Sequence, residues 1–212
     1  MGHKVKQWPE EGDGGVSRES YIYEWIDCFE PNSIFFDVGS CCGQFAAYAS
    51  AKGHEVWAFE PGTANSQHII KALNECSLDF MLVTKPVYSH KTVIRWNDGQ
   101  PRVGGHHKFI VEQGEFQGDA GLRGIYRSAQ GQSLEERHTC FLDQFPQADY
   151  MKIDVDGAER AVLQGAKQQL KGLRELCVEF NVDWPTEIEG FSEMYRKQIQ
   201  GTLHNVFYKN DN

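Results

Sequence analysis

The 212-residue chain has no apolar run approaching the roughly 18 residues of a membrane span. Its first twenty residues, MGHKVKQWPEEGDGGVSRES, hold no apolar stretch of the kind a secretory signal needs. These two absences make a cytoplasmic protein, with no membrane partner, the expectation. Basic residues are also few: 21 Lys and Arg stand against 30 Asp and Glu, a net charge of −9. Nucleic-acid binders concentrate Lys and Arg, so no nucleic-acid partner is expected. The six cysteines, Cys28, Cys41, Cys42, Cys76, Cys140 and Cys177, form no C-x-x-C pair. That argues against a zinc knuckle or a redox pair, and the cysteines read as reduced thiols, mostly packed inside. There is no internal repeat and no linker.

What is present is a soluble globular composition, 40% hydrophobic and 24% charged. The length fits a single domain, 1–212, able to bury roughly 70% of its unfolded-chain surface. Residues 1–30 read as an N-terminal helical extension, with an amphipathic helix over 21–29 that stops before Pro31. From there strand-like and helix-like stretches alternate. Short apolar runs at 33–38, 54–59, 80–83, 149–154 and 176–180 have the character of strands buried on both faces. Between them lie helical patterns at 43–52, at 63–76 with Thr63 as its cap, and at 158–170. Strand–helix alternation of this kind implies right-handed crossovers and a mostly parallel sheet. The pattern dissolves over about 89–137, a Gly-rich insertion that reads as hairpins or a lid. In the tail, Phe191, Met194 and Tyr195 fall at helical spacing and 203–208 reads as a strand, so the tail is expected to complete the sheet as an antiparallel edge, with Trp184 near the active-site edge.

The segment Ile34-Phe-Phe-Asp-Val-Gly-Ser-Cys-Cys-Gly43 places Asp37, Gly39 and Gly43 at a strand end and helix start. Gly39 permits a sharp turn and a ligand against bare backbone, and Gly43 lets the helix approach the strand. A dinucleotide fingerprint would need Gly at 37 and 42, where this chain has Asp37 and Cys42. Asp37 would repel a pyrophosphate, whereas an ammonium or sulfonium group would suit it. Glu60, 23 residues on, ends the second strand, where a carboxylate can accept both ribose hydroxyls. The competing structural reading is a tight turn, with Glu60 as a helix cap.

Two blocks, FFDVGSCCGQFAAYASAKGHEVWAFEP at 35–61 and DYMKIDVDGAERAVLQGAKQQL at 149–170, resemble the FkbM-type family of S-adenosylmethionine-dependent methyltransferases. A weaker echo is FLDQF at 141–145. The resemblance implies an α/β, Rossmann-like class I methyltransferase fold: a mostly parallel seven-stranded sheet with helices on both faces and an antiparallel edge strand. It also implies S-adenosylmethionine as cofactor and O-methylation of a sugar, glycan or natural product. Carried over, Asp37, Gly39, Ser40 and Gly43 would line the methionine end, Glu60 with Pro61 the ribose, and Val87 and Tyr88 the adenine. The sequence departs from the family at Ser40-Cys41-Cys42, where Asn is frequent, and at Asp156, where Glu is usual.

Methyl transfer to a hydroxyl needs a nucleophile held in line with the methyl group and a route for its proton. Asp154 and Asp156 follow a strand at the edge where parallel sheets bind ligands. Asp154 is expected to touch cofactor as well, and either carboxylate can be the base. Alternatively Asp154, Asp156, Glu179 and Asn181 hold Mg²⁺, all being hard oxygen ligands. In the plainer reading Asp154 neutralises Lys152, Asp156 caps a helix, and Glu159 answers the helix dipole. His107, beside His106 in the middle segment, is a further candidate base. An N-methyltransferase is the enzymatic alternative, although N/D-P-P-Y/F, common there, reads D-V-D-G here. A non-catalytic binding module is the other. The expected partner is a small-molecule or glycan acceptor, with a homodimer left as an option.

Overall fold

The computed structural model describes residues 19–97, 108–110, 135–181, 185–199 and 203–212. Strands β1 (Ile34–Val38), β2 (Glu55–Phe59) and β3 (Met81–Val83) alternate with helices α1 (Ser20–Ile26), α2 (Gln44–Ala51) and α3 (Thr63–Cys76). Next come β4 (Val93–Asn97), β5 (Lys108–Ile110) and β6 (Glu135–His138). The chain then runs through β7 (Tyr150–Ile153), α4 (Glu159–Gln164), α5 (Lys167–Gly172), β8 (Glu175–Asn181), β9 (Phe191–Gln198) and β10 (Leu203–Asn210). Seven strands form one sheet in the order β3-β2-β1-β7-β8-β10-β9. Pairing is parallel from β3 to β8 and antiparallel at β10 and at the edge strand β9. This is the Rossmann-like, mostly parallel arrangement expected of class I methyltransferases.

Alternation along the strands builds two cores. Phe35 and Tyr150 face one way, onto Trp25 and Ile26 of α1 and Phe45 of α2. Phe36, Val38, Met151 and Ile153 face the other, onto Val162 and Ala166. Helices therefore lie on both faces, and the central strands are apolar on both sides. On the α2 side the strand tips break this rule. Asp37 pairs in register with Lys152, and two residues further along the neighbouring strands Glu179 pairs with Asn205.

Several sequence expectations change. The segment with Phe191, Met194 and Tyr195 is edge strand β9, not a helix. Its residues are almost all exposed, so no buried face existed for a helical period to mark. The helix expected over 158–170 is two short helices broken at Gly165, where a Cβ would sit 2.4 Å from the Tyr88 carbonyl. Thr63 does not cap α3; Gly62 holds that position, and no side chain caps it. In the insertion, β5, β4 and β6 form a second, antiparallel sheet in that order.

Candidate active site

The loop after β1 is held by backbone contacts to β2: Gly39 N and Ser40 N both donate to the Phe59 carbonyl, at 2.9 and 3.1 Å. Ser40 Oγ donates back to Asp37 O at 2.7 Å. Gly39 has φ +82°, and a Cβ there would lie 1.7 Å from Asp154 O. The missing Cβ thus makes room for the neighbouring strand tip, while Gly39 also lines a cleft at this edge of the sheet. Cys41 follows at φ +51° and is fixed by its N–H, which donates to Glu60 Oε2 at 2.8 Å. The other oxygen, Oε1, accepts Gly62 N at 2.7 Å. Glu60 therefore ties the loops after β1 and β2 together, and burial pushes its carboxyl up to about 8 even against those two donors.

At the tip of β7, Lys152 Nζ lies 2.9 Å from Asp154 Oδ2. Burial alone would lower the lysine, but the carboxylates of Asp154, Asp37 and Glu19 outweigh it and hold it well above its ordinary range. Lys152 is thus a buried cation lying above the Phe45 ring. Asp37 beside it is fully buried, and its two carboxylate oxygens have no hydrogen-bond partner of normal geometry. Burial raises its pKa, opposed chiefly by the Lys152 charge. Beyond Asp154 the backbone turns sharply, with Asp156 at φ +54° and Gly157 at φ +107°. Glu159, buried, accepts Val155 N at 3.1 Å and Gly157 N at 3.0 Å through one oxygen. Burial pushes its pKa up to about 7. It anchors the turn that carries Asp156, a role the helix-dipole reading missed.

These loops enclose a cleft of about 390 Å³ at the carboxyl edge of the parallel strands, the edge at which open α/β sheets bind ligands. Gly39, Ser40, Glu60, Pro61, Val87, Asp154, Asp156 and Glu179 line it. Asp37 and Gly43 lie behind that lining, and Tyr88 packs against Ile94, Trp96 and Ala158. His107 and Trp184 lie outside the described residues, as does the side chain of Asn181. The sequence reading did not assign Lys152, Glu19, Ile94, Trp96, Ile199 or Leu203 to this wall. The sequence reads Lys152 only as the partner that Asp154 neutralises, a pairing the structure shows, and Glu19 gives no signal beyond an N-terminal helix start.

Charge decides what the cleft accepts. Its described lining holds five acidic side chains, Glu19, Glu60, Asp154, Asp156 and Glu179, of which burial holds Glu60 and Glu179 above their ordinary range, against the single cation of Lys152. Burial and the nearby Asp154 charge push Glu179 up to about 9, a cost that a bound cation would relieve. A sulfonium and an ammonium suit this wall, and a pyrophosphate does not. The chemistry of these residues fits S-adenosylmethionine: Glu60 ends the second strand, where a carboxylate can accept ribose hydroxyls, and acidic side chains that suit positive charge line the same cleft. Mg²⁺ fits less well. Lys152 already occupies Asp154, and no cluster of three or more His, Cys, Asp or Glu side chains with metal-ligand spacing occurs among the described residues. No described helix is long and apolar enough to cross a membrane.

Comparison with known proteins agrees with this geometry. No curated protein matches the chain. Among solved structures, the candidate methyltransferase yhhF of Escherichia coli is similar in fold, with TM-score 0.55, 13% identity, and 96% of this chain and 90% of that one covered. Magnesium protoporphyrin IX methyltransferase of Synechocystis PCC 6803, solved with bound SAM, gives 0.52, 12%, 94% and 86%. An rRNA methylase of Streptococcus thermophilus gives 0.51, 10%, 94% and 99%. At such identities these likenesses speak for the fold alone. The family model described as the methyltransferase FkbM domain matches residues 37–201, from the first acidic strand tip to the antiparallel end of the sheet. The chain belongs to the FkbM family and is an S-adenosylmethionine-dependent methyltransferase.

Proposed function

We propose that the acceptor is a hydroxyl of a sugar, glycan or natural product, and that the acidic tips of β7 and β8 serve it. The observation behind this reading is the grouping of Asp154, Asp156 and Glu179 in one cleft with Glu60. Bound S-adenosylmethionine supplies a methyl group made electrophilic by its sulfonium. Glu60 accepts the ribose hydroxyls and sets the depth of the cofactor. Lys152 holds one oxygen of Asp154, at 2.9 Å, and fixes that carboxylate's orientation. Asp154 or Asp156 takes the hydroxyl proton as the oxygen–methyl bond forms and the carbon–sulfur bond breaks. An acceptor amine is the second reading; against it, the segment after β7 runs Asp154-Val155-Asp156-Gly157, without the paired prolines frequent in N-methyltransferases.

The test is methyl transfer from isotopically labelled S-adenosylmethionine to paired acceptors that differ only in hydroxyl against amine, with Mg²⁺ and with chelator. Labelled methyl ethers are expected, at rates the chelator leaves unchanged. Methylation of the amines alone would overturn the hydroxyl assignment. Calorimetric titration with S-adenosylhomocysteine runs alongside and separates a wrong acceptor from a failure of the cofactor site.

A further inference from the structure

The second sheet is small, with three short strands. Beside its packing on Tyr88 and Ala158, it is tied to the loop after β2 through one side chain. Arg137 on β6 pairs in register with Ile94 on β4, so both side chains emerge on the same face, which also carries Trp96. From there Nη1 donates to the Pro61 carbonyl, and Nη2 donates to Thr63 Oγ1 at 3.0 Å. The guanidinium carbon lies 5.3 Å from the centre of the Trp96 ring, a cation–π distance. Glu135 pairs with the same guanidinium. Ile94 and Trp96 are buried and form part of the cleft wall, packed with Tyr88 and Ala158.

The landing point gives this contact its meaning. Pro61 follows Glu60, and Thr63 opens α3. An acid at the end of the second strand takes the ribose, so the wall beyond Pro61 belongs to the adenosyl end of the cofactor. We infer that Arg137 is a positioning residue that fastens the second sheet to the loop after β2, making Ile94 and Trp96 the wall that covers the adenosyl group. Arg is suited to this work because its planar fork serves two acceptors while its face stacks on an aromatic ring. The inference rests on the cofactor assignment and is independent of the acceptor.

Methylthioadenosine carries the adenosyl end of the cofactor without its amino-acid end, which makes it the discriminating probe. Arg137→Ala is expected to weaken methylthioadenosine and S-adenosylhomocysteine alike, each by about tenfold in calorimetry. Arg137→Lys keeps a cation but loses the fork, and is expected to fall between the two. Trp96→Phe is expected to abolish most of the change in tryptophan emission on methylthioadenosine binding while the other four tryptophans remain. Unchanged affinities for both ligands would overturn the inference. So would a loss confined to S-adenosylhomocysteine, which would place the effect at the methionine end. If Arg137→Ala does not fold, as judged by circular dichroism, Arg137→Lys and Trp96→Phe decide the matter. An emission change that survives in Trp96→Phe would then sink it.

Discussion

Two buried glutamates hold the active-site edge, and they do so differently. Glu60 receives N–H groups from two separate loops, one with each oxygen, while Glu159 receives both of its donors from one turn through a single oxygen. Glu60 also lines the cleft, whereas Glu159 does not. A ligand hydroxyl can therefore compete for or add to Glu60's hydrogen bonds, but nothing entering the cleft reaches Glu159. The comparison teaches that the same side chain, with the same burial and the same kind of donor, faces the cleft in one place and is only a fastener in the other. What separates them is whether the carboxylate has a face toward open space.

The largest expected effect attacks what the two loops share. Gly39→Ala would drive a Cβ into the Asp154 carbonyl at a residue with φ +82°. A loss of about 4 kcal/mol or more is expected, read as a collapse of the urea midpoint or failure to fold. Glu159→Ala leaves two amides of a tight turn without their acceptor. We expect a loss of about 3 kcal/mol by chemical denaturation, with cofactor affinity in the surviving folded fraction changing less than stability does. Glu60→Ala should invert that ratio. A loss of S-adenosylhomocysteine affinity of about tenfold to a hundredfold is expected by calorimetry, beside a smaller drop in melting temperature. Equal ratios in the two variants would erase the distinction drawn above.

The smallest effect is on pH. Both carboxyls are raised on folding, Glu60 to about 8 and Glu159 to about 7. The folded state then binds more protons than the unfolded chain, so these groups stabilise most below their ordinary range and lose that contribution as pH rises through 7 and 8. The ligand-free protein should lose on the order of 1 kcal/mol per group between about pH 6 and pH 8.5. Glu159→Gln should flatten its share of that slope. A melting temperature that rises over this interval would contradict the burial of both groups.

Much of this was legible in the sequence because the parallel half of the sheet obeys strong local rules. Its strands are short apolar runs, and their tips carry Asp37, Glu60 and Asp154, whose chemistry stands out against those runs. The antiparallel end was less readable. β9 is exposed along nearly its whole length, so Phe191, Met194 and Tyr195 matched a helical spacing by accident. Gly165, at the break between the two helices, sits where a Cβ would meet the carbonyl of Tyr88, 77 residues away, and no local pattern encodes that contact. Glu159 was visible as a motif residue, but its acceptor role depends on the left-handed turn at Asp156, which only the folded backbone reveals. Lys152 could be read as the partner of Asp154, but only the register set it beside Asp37 as well.

The contact between Gly39 and the Asp154 carbonyl leaves no spare volume between the tips of β1 and β7. Such a junction behaves as the hub of the enzyme, tolerating neither added bulk nor sliding of one strand past the other. The walls contributed by Ile199 and Leu203 come from segments outside that hub and apart from Ile94 and Trp96 of the second sheet. A protein engineer seeking a new acceptor should therefore randomise these walls and leave the hub alone, since variation there reshapes the chamber without disturbing the axis on which the cofactor is mounted.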